Sequence, residues 1–253
     1  FSQSDSYVSI LTNNTSAKAV ALYGVEKLQF DDATVILYNG SGSGEFLVNT
    51  YTDSTQASPS ITGLNDGGFV ISWQSIGQDG DGDGVYAQLY NASGAKNGDE
   101  FQVNTYTDGN QSNSSITSLN DGGFVISWWS NDVYAQLYNA SGAKNGDEFL
   151  VNTYTMGAQT SPSITGLNDG GFVISWMSNG QDGSFGGIYA QIYNVSGAKE
   201  GHEFQVNTYT ASSQLNPSIA SLNDGGFVIS WRSYEQDGDD DGVYAQIYNA
   251  SGA

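Results

Sequence analysis

Apolar and polar residues alternate with a period of two along much of the chain, the spacing of positions that share one face of a β-strand. Phe69 to Trp73 (FVISW) puts Phe69, Ile71 and Trp73 on one face. Val85 to Tyr90 (VYAQLY) and Ser60 to Leu64 (SITGL) read as strands beside it, and Phe46 to Thr52 (FLVNTYT) as a fourth. Tight turns separate them. Asn65-Asp66-Gly67-Gly68 supplies glycine where φ must be positive, and Asn91-Ala92-Ser93-Gly94 closes the unit. No stretch carries a 3.6-residue apolar period bounded by helix caps. The expectation is an all-β protein.

The unit repeats. Leu-Asn-Asp-Gly-Gly-Phe-Val-Ile-Ser-Trp occurs four times, with its aspartate at Asp66, Asp121, Asp169 and Asp224, so the spacings are 55, 48 and 55 residues. The opening glutamates Glu45, Glu100, Glu148 and Glu203 keep the same spacings. The second repeat is thus short by one local deletion: where the first reads Gln74 to Gly84, the second has only Trp129-Ser130-Asn131-Asp132 before Val133. Four antiparallel strands in about 50 residues match a β-propeller blade. A β-solenoid, the main rival, has shorter coils and no such hairpins. The repeats span 45–99, 100–147, 148–202 and 203–253. Residues 1–44 are either a divergent first blade or the end of a preceding module. Strand signals at Tyr7 to Leu11, Ala19 to Tyr23, Lys27 to Phe30 and Thr34 to Asn39 favour the first reading, a five-bladed propeller in one domain.

Charge narrows the partners. Lys and Arg total 6 against 27 Asp and Glu, a formal charge of −21. Such a surface repels nucleic-acid phosphates and anionic membranes. No apolar run approaches the roughly 20 residues of a membrane helix. There is no Cys, hence no disulfide and no thiolate metal site. The absence of an initiator Met and of a signal peptide is what a processed or excised segment would show.

Gly24-Val25-Glu26-Lys27-Leu28-Gln29-Phe30-Asp31-Asp32-Ala33-Thr34-Val35 resembles the G-V-E-x-L-x-F-x-D-G-T stretch of secreted bacterial RTX (haemolysin-type calcium-binding) proteins, with Ala33 where glycine is usual. The D-G-G-F-V-I-S-W core and the loop Gly77 to Gln88 (GQDGDGDGVYAQ) resemble repeat arrays of such large extracellular, adhesin-like proteins. The resemblance covers residues 24–253 and implies a protein that is secreted or at the cell surface and built of repeat modules. It does not imply a reaction. The RTX nonapeptide G-G-x-G-x-D-x-U-x is absent.

Three constellations are candidates for chemistry. Asp79, Asp81 and Asp83, with Asp237, Asp239 and Asp241 at the equivalent place in repeat four, alternate with glycine or a further acid as hard-oxygen Ca²⁺ loops do. No closing acid follows, since the twelfth position from Asp79 is Tyr90, and a solvated hairpin tip is the competing reading. Trp73, Trp128, Trp176 and Trp231 are either inter-blade core or sugar-stacking surfaces, and core is favoured because they share a face with Phe and Ile. Trp129 points the opposite way; its equivalents Gln74, Met177 and Arg232 vary, which marks a solvent-facing position and a feature unique to repeat two. Asn104, Tyr106 and Gln111 recur in every repeat, and amides with a phenol suit a neutral sugar. Buried amides bonded to backbone would look the same.

Catalysis has little visible support. His202 is the one histidine and sits in a variable turn, so triads have a single possible base. No acidic pair stands out as a one-off against the repeats. The expectation is therefore a non-enzymatic extracellular module, lectin-like or adhesive, binding a glycan or cell-surface polysaccharide and stiffened by Ca²⁺. The alternative is a spacer or assembly unit, with self-association, in a large surface protein.

Overall fold

The computed structural model describes residues 45–253 and, within 1–44, the backbone of four short strands. The chain divides into two compact units, Phe1–Phe46 and Leu47–Ala253. In the first, β1 (Tyr7–Ser9) pairs antiparallel with β2 (Ala19–Ala21), and β3 (Lys27–Gln29) with β4 (Thr34–Ile36). These are the places where the sequence predicts strands. The blade count and most of the RTX-like stretch fall outside the described residues.

The second unit is all-β. Blade one is the sheet β5 (Gln56–Gly63), β6 (Phe69–Ile76), β7 (Asp83–Tyr90) and β8 (Phe101–Gln102). Blade two is β9 (Ser112–Ser118), β10 (Phe124–Ser130), β11 (Asp132–Tyr138) and β12 (Phe149–Leu150). Blade three is β13 (Gln159–Gly166), β14 (Phe172–Asn179), β15 (Gly186–Tyr193) and β16 (Lys199–Gln205). The last sheet is β17 (Gln214–Ser221), β18 (Phe227–Tyr234) and β19 (Asp241–Tyr248). All pairings are antiparallel, and β5, β9, β13 and β17 neighbour one another in turn. This is the expected propeller architecture of four-stranded antiparallel blades. Among the described residues no helix is long and apolar enough to cross a membrane.

Blades and sequence repeats are out of phase. Each outer strand is borrowed from the start of the following repeat, and only two residues of Phe101–Thr107 are strand. The FxVNTYT segment is therefore mainly a crossover, which corrects the expectation of a full strand there. The reason is Asn104: its Oδ1 accepts from Val85 N–H at 2.8 Å and its Nδ2 donates to Tyr106 O at 2.9 Å. A side chain thereby satisfies backbone groups that a continuing ladder would pair. Asn152 and Asn207 do the same.

The invariant turn has a packing reason. A Cβ on Gly68 would lie 2.3 Å from Tyr90 O, and Gly67 has φ +84°. Asn65 Nδ2 donates to Leu119 O (3.3 Å) and Asn120 O (3.2 Å) of the next blade, a link repeated by Asn120 and Asn168.

Both faces of each sheet are apolar because blades stack face to face. Val70, Val85, Ala87 and Leu89 of blade one meet Phe124, Ile126, Trp128 and Tyr138 of blade two. Val125, Val133, Ala135 and Leu137 then meet Phe172, Ile174, Trp176 and Tyr193 of blade three. A third such layer holds Trp231. Large rings thus always face a neighbour's smaller β-branched and alanine side chains.

Candidate functional site

In three blades the loop joining the second and third strands folds back over the tryptophan-bearing face. In blade one, Gln78 Nε2 donates to Glu100 Oε1 at 2.6 Å; in blade three, Gln181 Nε2 donates to Glu203 Oε1 at 2.5 Å. The aspartate after each glutamine lies against a strand glycine. A Cβ on Gly84 would sit 2.5 Å from Asp79 Oδ2, one on Gly187 2.7 Å from Asp182 Oδ2, and one on Gly242 2.9 Å from Asp237 Oδ2.

Blade two has lost that loop. A cavity of about 250 Å³ opens in its place, lined by Tyr106, Gln111, Trp128, Ser130, Tyr134 and Glu148. That is below the roughly 300–1,000 Å³ of drug-sized pockets and on the scale of one sugar unit. Glu148 Oε2 accepts from Thr105 N–H at 2.6 Å, as Glu100 and Glu203 accept from Thr50 and Thr153. No glutamine donates to Glu148, which lines the cavity.

A second carboxylate is carried on the strand opposite Ser130. Asp132 pairs across the sheet with Ser130, the register position that Gly84, Gly187 and Gly242 hold opposite Ser75, Ser178 and Ser233. The carboxylate that other blades bring in from the loop is here carried by the strand itself. Asn152 Nδ2 donates to Asp132 Oδ1 at 2.7 Å and fixes it. Burial, then Asp132, then Glu148, push the Tyr134 phenol up from its ordinary value, which places both acids within electrostatic reach of that ring. Trp128 and Tyr134 stack at 6.3 Å. Tyr106 is 60% exposed at the mouth and donates to Asp108 Oδ2 at 3.1 Å, a bond that raises its pKa.

Of the residues singled out from sequence, Tyr106, Gln111 and Trp128 come together at this cavity. Asn104 does not line it; it is a buried backbone clamp that also donates to Gln111 Oε1 at 3.1 Å. Trp73, Trp128, Trp176 and Trp231 are 4, 1, 0 and 6% exposed, so all four are core residues as the sequence favoured, and Trp128 differs in bordering the cavity. Trp129 is half-buried rather than solvent-facing, with its indole Nε1 sealed from solvent, because that face of the strand also packs in a joint between blades. Exposed His202 lies at the outer edge of blade three.

The six loop aspartates do not gather into ligand sets. Asp81 Oδ2 accepts from Gly109 N–H (3.0 Å) and Asp79 Oδ1 from Asp81 N–H (3.4 Å). Asp83 begins a strand, and burial with Asp79 beside it pushes its carboxyl up. Asp237 and Asp239 cap the N–H groups of Asp239 and Asp240, while Asp241 pairs with Arg232 at 3.1 Å. Among the described residues no group of three or more His, Cys, Asp or Glu is placed to hold a metal ion.

Glu148 and Asp132 were not singled out from sequence. Glu148 is repeated, and only its surroundings are special. Asp132 is a true one-off, an acid where the other repeats have glycine, but that emerges only after alignment by strand register across the deletion.

No family model matches the sequence, and no curated protein matches it. Solved structures similar to it include an arabinanase from Bacillus subtilis, at 14% identity over 78% of this chain and 74% of that one, TM-score 0.47. An endo-arabinase from Bacteroides thetaiotaomicron is similar at 13% identity over 74% and 73%, TM-score 0.44. The Hadza microbial sialidase Hz136 is similar at 10% identity over 76% of this chain and 44% of that one, TM-score 0.55. At these identities the likeness shows a fold, the repeated-blade fold that carbohydrate-cleaving enzymes carry. These three neighbours are enzymes, against the expectation of a non-enzymatic lectin-like module or spacer, and the activities their names state are theirs alone. The lack of Cys and the single His are no ground for excluding catalysis, because glycoside hydrolysis needs only two carboxylates.

Proposed function

We propose that the chain hydrolyses glycosidic bonds of a neutral polysaccharide at the blade-two cavity. The observation that carries this reading is Glu148, which lines a sugar-sized space with Trp128 and Tyr134 and accepts a single hydrogen bond, with the one-off Asp132 opposite the cavity residue Ser130. Glu148 protonates the departing glycosidic oxygen as its bond to the anomeric carbon breaks. Asp132 takes a proton from the water whose oxygen bonds to that carbon, so two free hydroxyls result. Trp128 and Tyr134 border the space, and Gln111 beneath it is held by Asn104 Nδ2 at 3.1 Å and Asp108 O at 3.0 Å. A net charge of −21 and the acids at the cavity favour a neutral glycan over an anionic one.

The test is release of reducing ends from arabinan, xylan and a β-glucan, with a sialylated glycan as the anionic control. E148Q and D132N are each expected to lower the rate about 10²–10⁴-fold with the melting temperature unchanged. No release from any polymer, or full activity in E148Q, overturns the reading.

A further inference from the structure

The cavity of blade two is built from positions that blades one and three keep. Trp73, Tyr86 and Glu100 of blade one, and Trp176, Tyr189 and Glu203 of blade three, stand where Trp128, Tyr134 and Glu148 stand. Glu100 and Glu203 are fixed as Glu148 is, through the Thr50 and Thr153 backbone at 2.6 Å. What differs is the plug. Gln78 and Gln181 sit on the glutamate oxygen that is free in blade two, and the carboxylates of Asp79 and Asp182 take the place of Asp132.

The plugs are incompletely satisfied. Gln78 Oε1 and Asp79 Oδ2 in blade one, and Gln181 Oε1 and Asp182 Oδ2 in blade three, are buried with no hydrogen-bond partner. Beneath them Trp73 Nε1 and Trp176 Nε1 are buried and unpartnered too. Buried polar atoms left unpaired are costly, so each plug covers its tryptophan at some expense in hydrogen bonding. Each also hinges on glycines with positive φ: Gly77 (+74°), Gly80 (+101°) and Gly82 (+33°) in blade one, Gly180 (+81°) and Gly183 (+89°) in blade three.

We propose that blades one and three hold two latent copies of the blade-two site, for the same neutral sugar unit, each shut by its own Gln-Asp-Gly loop. This rests on the glycan reading of blade two. The deletion in repeat two is then what opens one site, and the intact loops are what keep the other two closed.

Swapping loops tests it. Ile76–Gly84 is replaced by Asn-Asp, the blade-two sequence, in a chain that also carries E148Q. Asn179–Gly187 is replaced likewise as an independent second graft. Arabinohexaose, xylohexaose and cellohexaose serve as probes for turnover and, by calorimetry, for the number of sites. A cooperative melt reports folding. The expected result is turnover restored to within about tenfold of the native chain, and two sites in place of one when the graft is made without E148Q. A folded graft that neither turns over nor adds a site, while the native chain cleaves a probe, overturns the latent sites and leaves the blade-two reading standing. An added site without cleavage by either chain supports the latent pockets and removes the hydrolytic reading. No binding by native chain or graft removes both.

Discussion

Blades two and three share the phrase Leu-Asn-Asp-Gly-Gly-Phe-Val-Ile-Ser-Trp, the same stacked Phe–Tyr pair and the same glutamate on the same threonine. Yet Glu203 accepts three hydrogen bonds, from Thr153 N–H, Thr153 Oγ1 and Gln181 Nε2, whereas Glu148 accepts one. Thr105 Oγ1 accepts from Lys144 Nζ instead. Seven fewer residues turn a structural clamp into an available carboxylate. The frame is held mainly by strand side chains packed between blades, so one loop can change what a blade does without changing how it folds.

The largest expected effect comes from closing the open blade. Replacing Asn131-Asp132 by the blade-three loop Asn179–Gly187 puts a glutamine on Glu148 and removes Asp132 together. Hydrolysis should fall at least 100-fold with the melting temperature held or raised. Retained activity in that variant would mean the cavity is not the site.

The next effect separates packing from lining. Trp176 is fully buried under its loop, and Trp176→Ala should cost about 3–5 kcal/mol in denaturant unfolding. Trp128 is 1% exposed although it lines the cavity, so Trp128→Ala should cost a similar amount and, unlike Trp176→Ala, also abolish activity in the chain that still folds. Full activity in a folded Trp128→Ala chain would show that this ring does not wall the site.

Much of this frame was legible in the sequence. The period-two pattern, the Asn-Asp-Gly-Gly turns and the repeat spacing expose the blades, because burial on both faces writes itself into alternation at every strand. The crossover at Phe101–Thr107 was not legible. Asn104 reads as one more polar strand residue until its amide is seen bonded to Val85 and Tyr106. The site was half legible. Tyr106, Gln111 and Trp128 were in view as repeated chemistry, but what separates Glu148 from Glu203 is a missing neighbour. Asp132 was hidden differently, as a glycine equivalent visible only through its register with Ser130. The loop aspartates were visible as a pattern, but alternate carboxylates look the same whether they meet a cation or cap their own turn.

Alkaline titration gives a smaller and more graded contrast. The Tyr189 phenol is pushed up to about 12, by burial first, then by Asp182, Glu203 and Tyr154. Tyr134, under the open cavity, is raised by burial, Asp132 and Glu148. Tyr134 is expected to deprotonate first in a site-resolved NMR titration. Because folded-state values lie above the unfolded value near 10, the folded chain holds protons that the unfolded chain has released. Stability is therefore intact below pH 10 and declines above it, by up to about 1.4 kcal/mol per pH unit for each phenol that only the fold keeps protonated. Identical titration of the two rings would erase the distinction between open and closed blades.

The smallest effect bears on the plug itself. Gln181→Ala removes a charge-assisted bond to Glu203, and such bonds contribute about 1.5–3 kcal/mol. It also removes the unpartnered Gln181 Oε1, a buried acceptor whose burial opposes folding. The two changes have opposite signs, so the net loss should be about 1 kcal/mol, read as a shift of the denaturation midpoint at constant slope. If Q181A instead cost the full value of the bond, Oε1 would have to be satisfied in solution, and the plug of blade three would be a settled part of the core rather than a displaceable cover.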